Sequence, residues 1–181
     1  MKRINLIIGI VALSLVFTSC KSEGSENANT DSNGETATDI TSIENLGDFI
    51  DFDLRPYELN ASILVPKNER ATIHHQLDTY VWDLKMGKQT YVTIKDWGTL
   101  NGFEKYLEEI ENLPETIEFI EKGNNFTLYT LTTGTSKVTY HTAAQHEIDG
   151  INYLFESSSN GLSKDGVEHA VISVKSVKEV K

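Results

Sequence analysis

The chain has 181 residues but only one cysteine, and that cysteine sits at position 20. A single thiol allows no internal disulfide framework and leaves the rest of the chain without a cysteine ligand for zinc. Positive charge is also scarce: 16 Lys and Arg stand against 27 Asp and Glu, a formal charge of −11. The basic residues are scattered singly, as at Lys67, Lys85, Lys88 and Lys95. Nucleic-acid binding needs a basic stripe or patch, so it is excluded, and anionic lipid headgroups would repel the folded part. Excess acid serves solubility first, and it also suits cations or a basic partner. Glycine loops that cradle phosphates, a GxSxG elbow, HxH and HExxH are all missing. These gaps remove the usual sequence signatures of phosphate binding, serine hydrolysis and zinc chemistry.

What is present begins at the N-terminus. Lys2 and Arg3 precede the apolar run INLIIGIVALSLVF, which ends at Thr18-Ser19-Cys20. A short positive region followed by an apolar stretch of about 14 residues fits a secretory signal peptide. An uncleaved spanning anchor is the alternative, but crossing a bilayer takes about 20 apolar residues. The FTSC junction resembles the lipobox of bacterial lipoproteins, with small Thr18 and Ser19 before the cysteine. Phe17 departs from that pattern, where leucine is more usual. The resemblance implies cleavage between Ser19 and Cys20, diacylation of the Cys20 thiol and acylation of the new amino group. Each buried CH₂ contributes about 0.8 kcal/mol, so two or three acyl chains anchor stably where one binds reversibly.

Residues 20–48 form the next unit, the acylated cysteine and a tether reading KSEGSENANTDSNGETATDITSIENLGD from Lys21. It is polar, acidic and free of aromatic residues, so it cannot bury enough apolar surface to offset its ordering entropy. A flexible tether of about 28 residues has a root-mean-square reach of about 30 Å. KSEGSE also resembles the acidic export tags of surface-displayed lipoproteins, although a generic spacer explains it as well. Losing Lys2 and Arg3 with the leader, residues 1–19, lowers the formal charge from −11 to −13.

Residues 49–181 are long enough for one domain with a single core. ELNASILVP places Leu59, Ala61, Ile63 and Val65 on one face of a strand, and ATIHHQL is a second strand. TYVWDLKMGKQTYVTIKDWG predicts a hairpin turning at Gly87-Lys88 with Tyr80, Trp82, Leu84 and Met86 inward. A helix follows, with Leu100, Phe103, Leu107 and Ile110 on one stripe, an Asn101/Glu104 capping box and Pro114 as its stop. TIEFIEKG, NFTLYTLTTG and SKVTYHTAAQHEIDGINYLFESS then predict a meander, with Asp149-Gly150 as a type I′ turn. Val167, Ala170, Val171 and Val174 fall at helical spacing after an Asp165/Glu168 capping box. Their β-branched side chains also suit a strand, and helix is the reading taken. The predicted class is α+β: an antiparallel meander with a central amphipathic helix and a C-terminal helix packed on one face.

This order, with SILVPKN as an opening strand, a helix after Trp97-Gly98 and a closing helix near VKSVK, resembles the PsbP/Mog1-type α+β sandwich over about residues 55–178. The resemblance implies a protein-binding or assembly module and assigns no functional residue.

Candidate chemistry is sparse. His74 and His75 are adjacent, and His141 and His146 are five apart, so a regular strand sends each pair to opposite faces. His169 stands alone, and no metal site is predicted. Asp51 with Asp53, and Glu147 with Asp149, fit no EF-hand loop. Ser157-Ser158-Ser159 runs into Asn160-Gly161, which is loop chemistry. Aromatics on strands are mostly packing residues. One exposed surface is predicted: Tyr91, Thr93, Lys95 and Trp97 share a face if Val92 and Ile94 point to the core, making Tyr91 and Trp97 a contact surface. The sequence therefore predicts a non-enzymatic, cofactor-free lipoprotein. It would sit in the cell envelope of a Gram-negative bacterium, at the outer membrane facing the periplasm or the cell surface. A lipid at Cys20 would hold it there, and its domain would bind a protein partner. The alternative is a small-ligand-binding lipoprotein with a cavity under the sheet; an enzyme would need His75, His141 or His146 to converge with carboxylates in one cleft.

Overall fold

The computed structural model describes residues 46–181 apart from Leu77 and Thr135, so Ser19, Cys20, the leader and the tether up to Asn45 lie outside the described residues. Phe49–Asp53 (β1) pairs antiparallel with Ala61–Pro66 (β2), where Ala61, Ile63 and Val65 are fully buried as the alternation predicts. Ala71–Gln76 (β3), Val81–Met86 (β4) and Gln89–Asp96 (β5) form the predicted hairpins, with Met86 paired to Gln89 across Gly87-Lys88. Helix α1 spans Gly102–Glu111. Thr116–Lys122 (β6), Phe126–Thr133 (β7), Lys137–Ile148 (β8) and Ile151–Ser157 (β9) then run back and forth. Lys164–Lys175 (α2) and the two-residue strand Lys178–Glu179 (β10) close the domain.

Among the described residues these ten strands make two antiparallel sheets, ordered β1-β2-β10 and β3-β4-β5-β9-β8-β7-β6. The domain is α+β, richer in strand than in helix. The large sheet is not one uninterrupted meander. Two meanders, β3-β4-β5 and β6-β7-β8-β9, join where β5 pairs with β9 from Val92↔Ser157 to Asp96↔Tyr153.

The expectation that both helices cover one face is corrected: they lie on opposite faces. Trp82, Leu84, Val92, Ile94, Tyr153 and Phe155 form one core with β2 and the α2 residues Ala170 and Val174. Phe103, Tyr106 and Ile110 of α1 form a second core with Tyr129, Ala143 and Leu154. Alternate residues of β9 thus enter different cores, which explains its nearly continuous apolar run. The small sheet is fastened by hydrogen bonds as well as by packing. Leu64 N–H donates to Ser176 Oγ at 2.8 Å, and Trp82 Nε1–H donates to the Tyr57 carbonyl at 2.9 Å.

Three local expectations also change. Leu100 precedes α1 and is 71% exposed, while Tyr106 takes its place in the buried stripe. Asn101 caps α1 by accepting from Phe103 N–H, in place of the predicted reciprocal box with Glu104. Ser163, not Asp165, caps α2 by accepting from Gly166 N–H at 3.1 Å. The Asp149-Gly150 turn forms as predicted, with φ values of 52° and 77° that match a type I′ hairpin.

Gly161 is held at φ +73° directly against Thr139 and His141, where an added Cβ would collide with both side chains. Gly134 has φ +65° but open space around it. Gly161→Ala should therefore cost about 2–4 kcal/mol, combining left-handed strain with overpacking. Gly134→Ala should cost only about 1 kcal/mol from strain alone. Urea unfolding of the two variants separates these effects, and equal losses would show that the Gly161 contact is immaterial.

Candidate contact surface

The predicted Tyr91/Trp97 pair divides. The register slips between Leu84 and Lys85, so Leu84 pairs with Val92 and Lys85 with Thr90, leaving Tyr91 as an extra residue. A bulge of this kind turns two successive side chains toward the same face. Tyr91 consequently joins Val92 in the α2-side core and is only 8% exposed. Its hydroxyl hydrogen-bonds Ser173 Oγ at 2.9 Å, and burial pushes its pKa upward. Tyr91 belongs to the core and is not part of a surface.

Trp97 remains half-buried at the end of β5, with its ring against Gly102 and Lys105 Nζ 5.8 Å from the ring centroid. Two residues that the alternation places elsewhere lie beside it. Tyr80 is 64% exposed, and its carbonyl accepts from Asp96 N–H at 3.2 Å. Leu100 N–H donates to the Trp97 carbonyl at 3.3 Å. These bonds bring Tyr80, Trp97 and Leu100 to one end of the sheet.

Both surprises have local causes. Asp78-Thr79 is turn chemistry immediately before Tyr80, and Thr79 Oγ1 donates to the Gln76 carbonyl. Tyr80 therefore closes the turn and does not start the strand. Its φ of 53° is an uncommon, strained conformation for a bulky residue. Leu100 occupies the position before the N-cap, where an apolar residue usually staples to the fourth helical residue. That residue here is Lys105, so Leu100 lacks an apolar partner there and stays in solvent. The cap itself was the signal that Leu100 lies outside the helical stripe.

Thr93 and Lys95 extend this surface along the sheet on the side that α1 leaves partly open. Lys95 Nζ pairs with Glu156 Oε1 at 2.6 Å, and the Glu156 side chain is 14% exposed. Asp83 accepts from Thr93 Oγ1 at 3.2 Å and from Gln76 Nε2 at 3.0 Å. His74, Asp83, Thr93 and Glu156 follow one another in a cross-strand row. Where α1 covers the sheet, the Tyr106 and Tyr129 hydroxyls meet at 3.3 Å. Burial raises the pKa values of both, and the nearby Glu156 charge adds to the effect. The result is a half-buried polar strip ending in an exposed apolar tip.

The histidines are dispersed. His74 is exposed, and His75 stacks on Trp82 at 4.5 Å with Nδ1 3.9 Å from Glu58 Oε2. His141 stacks on Tyr129 at 5.1 Å and lies 2.9 Å from Thr139 Oγ1. Thr139 Oγ1 also lies 3.3 Å from the Leu131 carbonyl, which can accept from it. His146 Nε2–H donates to the Val174 carbonyl at 2.6 Å, and His169 meets Phe49 edge-on at 5.6 Å. Among the described residues no three His, Cys, Asp or Glu side chains converge on a metal position. No described helix is long and apolar enough to cross a membrane. Compared with protein-family models and with curated proteins, the chain matches none.

Burial lowers the pKa of His141, and burial outweighs the Val174 hydrogen bond in lowering that of His146. The unfolded chain therefore binds protons first as pH falls, and folding stability drops below about pH 6.5. The loss should be complete once pH passes beneath the folded-state values. His146→Gln, which keeps a donor for Val174, should flatten this slope in urea titrations between pH 7 and 5. An unchanged slope would assign the acid sensitivity to other groups.

Proposed function

We propose that this is a lipid-anchored, non-catalytic protein of the bacterial cell envelope whose domain binds another protein. Cys20, freed by cleavage after Ser19, carries the lipid, and residues 20–48 act as the tether. The observation that carries the binding role is the surface of Tyr80, Trp97 and Leu100, two of which are exposed large apolar side chains at 64% and 71%. Exposed apolar residues grouped beside a polar rim are a usual composition for a protein contact. The backbone strain at Tyr80 supports the same reading, because strained residues persist where function retains them. The tendency of the PsbP-type fold, which the order of elements resembles, toward assembly roles supports a binding module. The excess of acid favours a protein partner over nucleic acid or anionic lipid. An outer-membrane position in a Gram-negative envelope follows from reading the chain as such a lipoprotein.

Two experiments test this. Fractionation and protease shaving of intact cells should find wild type membrane-bound and Cys20→Ala released. Retention of Cys20→Ala as firmly as wild type overturns the anchor. A photo-crosslinking residue at Leu100 should capture a discrete protein adduct that the same probe at Val138, 48% exposed, does not. Equal labelling at both positions overturns the contact surface. Tyr80→Asn should stabilise the domain by about 1 kcal/mol, since asparagine tolerates the left-handed conformation, while weakening capture at Leu100.

A further inference from the structure

The seven-stranded sheet is open at β3 and at β6, and the two edges differ. β3 reads ATIHHQ and carries no carboxylate, whereas β6 reads TIEFIEK. Among described strands β6 pairs with β7 alone. Its far half is interrupted by a bulge at Ile120, where the register jumps between Phe119 and Glu121. Its first half, Thr116–Phe119, is regular and paired residue for residue with Thr132–Tyr129. A strand edge without a partner offers a row of backbone donors and acceptors to an incoming chain.

This half-strand is charged. Lys122 is already paired with Glu111, and Lys175 with Glu121 at 3.1 Å. Glu115 and Glu118 have no ion-pair partner among the described residues, and Glu118 projects from the regular half of the edge.

We propose that the free edge of β6 receives an extended basic segment of a partner protein as an eighth strand. Backbone pairing along Thr116–Phe119 supplies the geometry, and Lys or Arg on alternate residues, which share one face, meets Glu118. A second copy of this chain is disfavoured, because two β6 edges would set Glu118 against the carboxylates of its twin. Acidic or phosphorylated segments are repelled for the same reason. The bulge at Ile120 and the engaged Lys122 limit the added strand to the first half, which gives the edge a defined register. This surface is carried by β6 and is separate from the Tyr80–Leu100 tip.

The test uses the full chain in detergent and a fluorescent peptide of alternating lysine and threonine about ten residues long, the upper end of common strand lengths. Anisotropy should report saturable binding, and hydrogen exchange should slow within Thr116–Phe119. The same peptide with glutamate for lysine should not bind, and methylation of alternate peptide nitrogens should abolish binding. Glu118→Gln should weaken it by about threefold, the range for a single exposed charge pair, with the circular dichroism spectrum unchanged. Leu100→Ser, which disables the other surface, should leave peptide affinity as it was. Absence of saturable binding, equal binding of the methylated peptide, or exchange protection elsewhere than β6 would each overturn the proposal.

Discussion

The pairing of β5 with β9 is the constraint on which the rest of the domain depends. It is the single ladder that joins the β3-β4-β5 meander to the β6-β9 meander, and it links strands separated by α1 and three intervening strands. Ile94 and Phe155 are inaccessible from the α2 face and Leu154 from the α1 face, while Thr93, Lys95 and Glu156 are half-buried. The α2-side core draws residues from strands on both sides of the seam, so it is complete only once this ladder has closed. Such pairing has a high loop-closure cost, so its stability must come from the apolar area buried above and below it.

The two faces of that seam differ in chemistry. The α2 face is largely apolar and is roofed by the small sheet, with Tyr91 and Ser173 bonded inside it. The α1 face carries buried hydroxyls and the half-buried Lys95–Glu156 pair. Polar groups survive there because each has a partner, which keeps the desolvation cost within reach of the hydrogen bonds gained. Where α1 stops covering this face, the same strands present polar side chains to solvent. The open strip thus grades continuously into a core.

Much of the architecture could be read from the chain. Alternation in β2, the turn residues Gly87-Lys88 and Asp149-Gly150, and the stripe of α1 are local signals, and local physics decided those elements. The placement of α1 and α2 on opposite faces was not readable, since a helical stripe shows that a face is buried without saying which side of a sheet it meets. Tyr91 went astray for a related reason. One extra residue in a strand puts two neighbours on the same face, so Tyr91 joins Val92 while Thr93, Lys95 and Trp97 keep theirs, and nothing in QTYVTIK marks the bulge. Tyr80 and Leu100 did carry signals, a turn dipeptide and a helix cap, but apolar periodicity pointed the other way. The resulting surface is legible only when caps and turns are given precedence over periodicity.

The small sheet also has a mechanical meaning. β1 is the first strand of the domain, and it is bound to β2 along five residues, from Phe49↔Pro66 to Asp53↔Ser62. For a domain held from its N-terminal side, tension from a bound partner reaches this ladder before it reaches the large sheet. A pull along β1 loads all of these pairs together in shear, whereas a pull across it opens them one after another. The seven-stranded sheet does not include β1. In either geometry the load on such a domain would fall on β1 ahead of the seam, and separation of β1 from β2 would leave the seven-stranded sheet whole.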